Sequence, residues 1–143
     1  MKFGRWPLAA LAVGMLALPD ARAGARLPPT APAEYLSKKN ALAGNAAAIE
    51  KGAKLYERRC VKCHGPKGDG KGKSAEGIDP PVPDFTTGGY FKARNEGQLF
   101  WMIEKGSPNT DMDSFGPGTQ FNLSPDDIWS VVAYLHGKFG GAK

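Results

Sequence analysis

Apolar positions recur at helical spacing in three stretches of this chain. The first stretch runs from about Asn45 to Arg59. Its residues at i, i+3, i+4 and i+7 lie on one helix face; they are Ile49, Gly52, Ala53 and Tyr56. Asn45 is a suitable N-cap, because its side-chain oxygen can accept a hydrogen bond from the first turn. Gly52 costs about 1 kcal/mol relative to alanine in a helix interior, so we expect another helix to approach closely there.

The second stretch predicts a shorter helix from about Glu96 to Lys105. Asn95 and Gln98 form a pair that resembles a capping box, and Gly106 stands where helices commonly end. The apolar face of this helix consists of Leu99, Met102 and Ile103.

The third helix is predicted to open at Ser124. Pro125 suits the first helical position, and Ser124 with Asp127 matches the S-x-x-[DE] capping signature. The apolar face of this helix consists of Ile128, Val131, Val132, Leu135 and Phe139. No segment shows the alternation that predicts a β-strand, so we expect an all-α fold of three to four short helices.

The first 23 residues have the three parts of a secretory signal. Lys2 and Arg5 are basic, residues 8–18 form an uncharged apolar run, and Ala-Arg-Ala at 21–23 matches a cleavage site. A membrane anchor is the alternative, but the run falls well short of the ~20 residues that span a bilayer. We therefore expect cleavage after Ala23, export to a bacterial periplasm and no transmembrane anchor.

The remaining 120 residues suffice for one domain. Residues 24–44 are rich in Pro and Ala and sustain no period, which predicts a flexible N-terminal arm; packing on the domain surface is the alternative. The domain itself is assigned to residues 45–143. Beyond residue 23, 16 basic and 13 acidic side chains leave a net charge of +3. This small excess, with no recognisable reading motif, argues against nucleic-acid binding.

Residues 60–64 read Cys-Val-Lys-Cys-His. The spacing C-x-x-C-H is the covalent attachment motif of c-type haem, in which each thiol bonds one vinyl group and the next imidazole reaches the iron. We therefore predict one covalent haem c, attached at Cys60 and Cys63, with His64 as the proximal ligand. The alternatives are a disulfide that closes a very small ring, a thioredoxin-like dithiol, and a zinc site that would need the distant His136 as its fourth ligand.

The segment after the motif, residues 65–89, is rich in Gly and Pro and cannot hold a long helix. We expect it to wrap one side of the haem, stiffened by Pro80, Pro81 and Pro83. A proline carbonyl there is expected to accept a hydrogen bond from Nδ1 of His64.

Six aromatic side chains are candidates either for lining the haem pocket or for ordinary core: Phe85, Tyr90, Phe91, Phe100, Trp101 and Phe115. A buried indole N–H or phenol usually finds a hydrogen-bond partner. Tyr90 and Trp101 are therefore candidates for a hydrogen bond to a haem propionate.

Two parts of the chain resemble the class I c-type cytochromes. The string GAKLYERRCVKCHGPKGDGKG resembles the start of that family, and DMDSF followed by LSPDDIWSVVAYL resembles its end. The resemblance covers about residues 45–139 and implies the class I cytochrome c fold, in which short helices wrap around one haem. It also implies that the first and last helices cross, with Gly52 and Tyr56 packed against Tyr134 and Leu135.

Met112 is predicted to be the second axial ligand. It lies in a loop between Asp111 and Asp113, where it has no apolar stripe to join, and the resemblance also places a methionine in this loop. The family usually has proline after that methionine, where this chain has Asp113. The alternatives are Met102, interpreted as a core residue of its helix, and His136, interpreted as a surface histidine near a helix C-terminus.

Ligation by His64 and Met112 leaves the iron no open position, and a thioether raises its potential. The predicted function is therefore a periplasmic one-electron shuttle between a donor dehydrogenase or reductase and a terminal acceptor, and not an enzyme. A haem subunit of a larger dehydrogenase or oxidase is one alternative. A small peroxidase or gas-binding protein, with a labile methionine ligand, is the other.

The expected partners are redox proteins, and the protein itself is expected to be a monomer. Basic residues around the motif predict attraction to an acidic docking surface; they are Arg58, Arg59, Lys62, Lys67, Lys71 and Lys73. A solvated lysine-rich loop is the alternative interpretation.

Overall fold

The computed structural model describes Met1 and residues 29–141, so residues 2–23 of the predicted signal peptide lie outside the described residues. Residues 29–141 contain no β-strand, which confirms the all-α prediction. The helices in chain order are α1 (Ala33–Leu36), α2 (Ala46–Arg59), α3 (Val61–His64), α4 (Glu96–Lys105) and α5 (Pro125–Phe139). Helices α2, α4 and α5 are the three predicted ones. The one-turn helices α1 and α3 raise the number above the three to four expected.

The predicted caps of α2 and α5 are present. Asn45 Oδ1 accepts a hydrogen bond from the backbone N–H of Ala48 at 3.0 Å. At the start of α5, the backbone N–H of Asp127 donates to Ser124 Oγ at 3.2 Å, and the backbone N–H of Ser124 donates to Asp127 Oδ2 at 2.9 Å. These reciprocal bonds complete a capping box.

Only one of the two hydrogen bonds expected of the capping pair of α4 is present. Asn95 Oδ1 accepts from the backbone N–H of Gln98 at 2.8 Å, but the Gln98 side chain does not return the bond. Its Nε2 donates to the carbonyl of Pro29 at 2.6 Å, and its Oε1 accepts from the N–H of Ala31 at 2.7 Å. Gln98 therefore ties the N-terminal segment to α4 instead of completing a cap.

Helices α2 and α5 cross at Gly52, as the resemblance implied. A Cβ on residue 52 would overlap the carbonyl oxygen of Ser130 and lie 2.9 Å from the Cβ of Tyr134. One turn along α2, the ring of Tyr56 lies 5.4 Å from that of Tyr134. Lys51 and Asp127 form an ion pair at 2.7 Å between the same two helices.

The apolar face predicted for α5 forms the centre of the core. Ile128 and Val132 have no exposed surface, and Val131 is 2% exposed. The cluster around them also takes in the following buried residues: Leu55, Tyr56, Phe85, Phe91, Leu99, Phe100, Ile103, Leu123, Leu135 and Phe139. Three of the six candidate aromatics, Phe85, Phe91 and Phe100, are therefore core residues.

Residues 29–44 pack against the domain, which is the alternative that the sequence left open. The phenol of Tyr35 in α1 donates to Glu104 Oε2 at 2.5 Å, and a Cβ on Gly97 would overlap the carbonyl oxygen of Tyr35. Asn40 is buried and donates through Nδ2 to the carbonyl of Trp129 at 3.0 Å. A domain boundary at residue 44 stays a prediction.

Candidate haem site

The two cysteines and the histidine of the motif lie on a single helical turn. Helix α2 ends at Arg59, and the carbonyl of Cys60 accepts from the N–H groups of Cys63 at 3.1 Å and His64 at 2.9 Å. Cys60 and Cys63 are free thiols. Burial, with a smaller contribution from Cys63, raises the pKa of the Cys60 thiol to about 12.

The glycine-rich loop after the motif folds back onto that turn. The carbonyls of residues 62–64 accept hydrogen bonds from the backbone N–H groups of Ser74 at 2.9 Å, Gly72 at 3.0 Å and Gly70 at 3.0 Å, respectively. A Cβ on residue 72 would overlap the carbonyl oxygen of Lys62. Glycine at 72 is therefore a requirement of close packing, and the loop holds the motif in place.

A tyrosine of α2 fixes the end of the motif turn. The phenol of Tyr56 donates to the carbonyl of Gly65 at 2.8 Å in a buried hydrogen bond, and Gly65 has a φ of 75°, which favours glycine. Burial raises the pKa of Tyr56 well above its ordinary value. The packing of Tyr56 was predicted, but this bond was not, since no local pattern reports it.

The imidazole of His64 lies among apolar groups. Its ring stacks on Phe85 with centroids 4.7 Å apart and an angle of 19° between the planes. Burial lowers the pKa of His64 to about 4, which keeps the ring in the neutral form that ligates metals. Its Nδ1 is buried and has no hydrogen-bond partner among the described residues. The expected bond from Nδ1 to a proline carbonyl is therefore absent.

Met112 lies in the loop between α4 and α5. Its carbonyl accepts from the N–H of Ser107 at 3.2 Å, and its own N–H donates to Thr110 Oγ1 at 3.2 Å. Its partly buried side chain packs against the hydrophobic cluster that also contains Phe85. Met102, by contrast, is a buried residue of α4.

His136 is less exposed than the sequence led us to expect. Its Nε2 is buried without a hydrogen-bond partner among residues 29–141, and its ring centroid lies 5.4 Å from that of Phe91. His136 is half-buried, so it retains some exposed surface while its Nε2 points into the protein. It lies near the end of α5, packed beside the aromatic cluster.

The residues at this site fit a covalent haem. Two free thiols and a neutral imidazole lie on one turn, the ring of His64 and the thioether of Met112 border the same apolar cluster, and Nδ1 of His64 has an unused proton or lone pair. Residues 29–141 contain no group of three or more His, Cys, Asp and Glu side chains placed to hold a metal ion. The zinc interpretation therefore has no ligand set in that part of the chain.

The basic residues named around the motif all lie on the surface. Each of the six is exposed: Arg58, Arg59, Lys62, Lys67, Lys71 and Lys73. Asp111 and Asp113, which flank Met112, are exposed as well. Among residues 29–141, no helix combines the length and the apolar character that crossing a bilayer requires.

A sequence model of the cytochrome c family matches residues 49–138. The chain is also 29% identical over 109 residues to the Cbb3-type cytochrome c oxidase subunit CcoP of Azospirillum brasilense. That match takes in 76% of this chain but 35% of the subunit, so the chain spans about a third of the length of that relative.

Several solved structures are similar to this one, among them the following two. A reducing HAO-like protein complex of Kuenenia stuttgartiensis is 28% identical, with a TM-score of 0.54, over 64% of this chain and 44% of that one. Cytochrome cL of Methylophaga aminisulfidivorans is 25% identical, also with a TM-score of 0.54, over 71% of this chain and 61% of that one. This chain belongs to the cytochrome c family, and its cofactor is a covalently bound haem c.

Proposed function

We propose that this cytochrome takes one electron from a donor redox protein and passes it to an acceptor protein in the periplasm. Cys60 and Cys63 would form the thioether bonds, and His64 and Met112 would coordinate the iron. When bound, the haem would supply an iron atom that changes by one electron between its ferrous and ferric states. The polypeptide would hold the two ligands in place and so leave no open position on the iron for bond-making chemistry.

One observation carries this proposal, namely the way in which the Met112 loop is held. Backbone N–H groups of Phe115 and Gly116 donate to the carbonyls of Ile103 and Glu104 at 3.0 and 3.1 Å, which ties the loop to the end of α4. A thioether supplied by a tied loop stays in place when the iron changes oxidation state. A permanent sixth ligand favours electron transfer over peroxide or gas chemistry.

Absorption spectroscopy with carbon monoxide tests this function. We expect the purified, haem-loaded protein to show a low-spin ferrous spectrum that carbon monoxide leaves unchanged at neutral pH, and to retain its haem on a denaturing gel. A carbon monoxide complex that forms readily would instead favour the gas-binding or peroxidase alternative, because it requires an open or labile position on the iron.

A second candidate is that the chain acts as the electron-transfer subunit of a larger oxidoreductase. Its support is that one relative is an oxidase subunit and that one similar structure is a protein complex. Purification from the native cells at low ionic strength separates the two candidates. A free carrier elutes at the size of a monomer, whereas a subunit elutes with stoichiometric partner chains.

Export is proposed from the predicted signal. Fractionation of cells should place the haem-stained protein in the periplasm, with a mature N-terminus at Gly24. The exposed basic residues around the motif support a partner with an acidic surface, and the association rate with such a partner should fall as ionic strength rises.

A further inference from the structure

Arg94 carries a buried N–H group that no other described residue uses. It immediately precedes Asn95, the N-cap of α4. Its Nη1 donates to the carbonyl of Tyr90 at 2.9 Å, and its guanidinium carbon lies 3.8 Å from the centroid of the Tyr90 ring. Its Nε is buried without a hydrogen-bond partner among residues 29–141, and Arg94 forms no ion pair with any of them.

Such an arrangement is costly unless an acceptor is supplied. Arginine stays protonated in proteins, and a buried donor left without an acceptor destabilises the folded protein, more so when the group is charged. The stacking on Tyr90 offsets a part of that cost. The unused N–H of Arg94 therefore points to an acceptor, preferably anionic, that lies inside the protein.

A chain of aromatic contacts connects Arg94 to the haem motif. The ring of Tyr90, against which Arg94 lies, has its centroid 4.8 Å from that of Phe85. Phe85 in turn stacks on His64 at 4.7 Å. The guanidinium is thus separated by two aromatic rings, those of Tyr90 and Phe85, from the imidazole proposed to ligate the iron.

We infer that the Nε–H of Arg94 donates a hydrogen bond to a propionate carboxylate of the haem. Haem c carries two propionates at one edge of the porphyrin, and they are anionic acceptors that the cofactor brings into the protein. A bond between guanidinium N–H and carboxylate is charge-assisted and stronger than a neutral one. Tyr90 then acts as a positioning residue, since its carbonyl and ring orient the guanidinium.

The acceptor is inside the protein and not in the cleft beside Arg94. Arg94 also borders an open surface cleft of about 420 Å³, together with Lys92 and Gln98. An anion from solvent in that cleft would meet the exposed Lys92. The Nε of Arg94 has no solvent-accessible surface to offer it.

The substitution Arg94→Gln tests the inference, with Lys92→Gln as its matched control. Lys92 has the same charge, lies two residues away on the same cleft and is exposed. In the resonance Raman spectrum of the ferrous protein, we expect the propionate bending band to shift in Arg94→Gln and to stay in place in Lys92→Gln. We also expect a lower midpoint potential in Arg94→Gln, because loss of a nearby positive charge favours the ferric state.

The inference is overturned if the propionate band of Arg94→Gln coincides with that of the control. If Arg94→Gln does not mature, a crystal structure of the haem-loaded natural chain decides. It supports the inference when a propionate oxygen lies within about 3.2 Å of Nε, and overturns it when both propionates lie beyond hydrogen-bond distance.

The inference rests on the proposed placement of the haem beside His64, and the two can fail separately. An incorrect ligand assignment would show as a His64→Ala protein with an unchanged low-spin spectrum. An incorrect role for Arg94 leaves the spectrum of the natural chain as proposed and removes only the difference between Arg94→Gln and its control.

Discussion

Gly52 of α2 lies directly on the backbone of Ser130 in α5. A Cβ on residue 52 would overlap the Ser130 carbonyl oxygen and lie 2.6 Å from its carbonyl carbon. Neither atom can rotate away as the end of a side chain can. The contact therefore sets the distance between the two longest helices of the domain, and these helices hold both the residue before the haem motif and the centre of the core.

Gly52→Ala should destabilise the protein by roughly 2–3 kcal/mol, since overpacking against backbone forces the helices apart. Urea unfolding of the haem-loaded protein, followed by circular dichroism, measures the change. Gly137→Ala is the matched control in α5, because the nearest atom to a Cβ there is Cδ1 of Ile49 at 4.0 Å. That substitution should be neutral or stabilise by up to about 1 kcal/mol. Equal effects of the two substitutions would contradict the close contact.

Tyr56→Phe should destabilise the protein by roughly 1–3 kcal/mol, because it leaves the buried carbonyl of Gly65 without its donor. Tyr134→Phe is the control, since Tyr134 is only half-buried and its phenol donates to no protein group among residues 29–141. Denaturant unfolding curves compare the two. The bond has no energetic role if both variants unfold at the same urea concentration.

The sequence predicted α2, α4 and α5 because their signals are local. A cap, an apolar stripe and a terminating residue all lie within about fifteen positions, as at Asn45 or at Ser124 with Asp127. Gln98 shows the limit of such reasoning. Its side chain matched a capping pair in the sequence, but in the structure it forms hydrogen bonds with Pro29 and Ala31, which are far away in sequence. Helix α1 was not predicted, because four residues are too few to show the helical period of apolar positions.

The same distinction applies to the haem site. The motif at residues 60–64 is readable because covalent attachment needs a fixed local spacing. The stacking of Phe85 on His64 and the unused N–H of Arg94 depend on which loops meet in the folded chain. In the sequence, Arg94 is only an arginine between an aromatic pair and an N-cap residue, and nothing in that pattern predicts a buried N–H group.

Asp127 should make stability depend on pH in the acid range. Burial alone would raise its pKa, but hydrogen bonds from Lys51 and Ser124 outweigh that effect and hold the pKa below its ordinary value of 3.8. The ionised form therefore favours folding at pH values above the unfolded pKa of about 3.9. This stabilisation is lost as the pH falls below that value and through the folded pKa.

Asp127→Asn should consequently lose less stability than the natural chain when the pH is lowered from 5 to about 2.5. Thermal unfolding at a series of pH values measures the difference. Asp126→Asn is the control, because Asp126 lies in the same first turn but is exposed and forms no ion pair among residues 29–141. Parallel pH profiles for all three proteins would rule out the role of Asp127.

Met112→Ala should remove the sixth ligand of the iron. We expect complete loss of the charge-transfer band between methionine sulfur and ferric iron, together with new binding of carbon monoxide to the ferrous protein. The potential should also fall, because a thioether favours the ferrous state. A tenfold loss of that preference corresponds to about 59 mV for a one-electron couple, and we expect a decrease of at least about this size.

Met102→Leu is the matched control for that experiment. Met102 is a buried residue of α4, and replacement of methionine by leucine in a core keeps the volume and usually costs less than about 1.5 kcal/mol. The band and the potential should survive in Met102→Leu. If the band instead disappears with Met102 and persists in Met112→Ala, the ligand is the methionine of α4. The tied loop between α4 and α5 would then have no part in holding the iron.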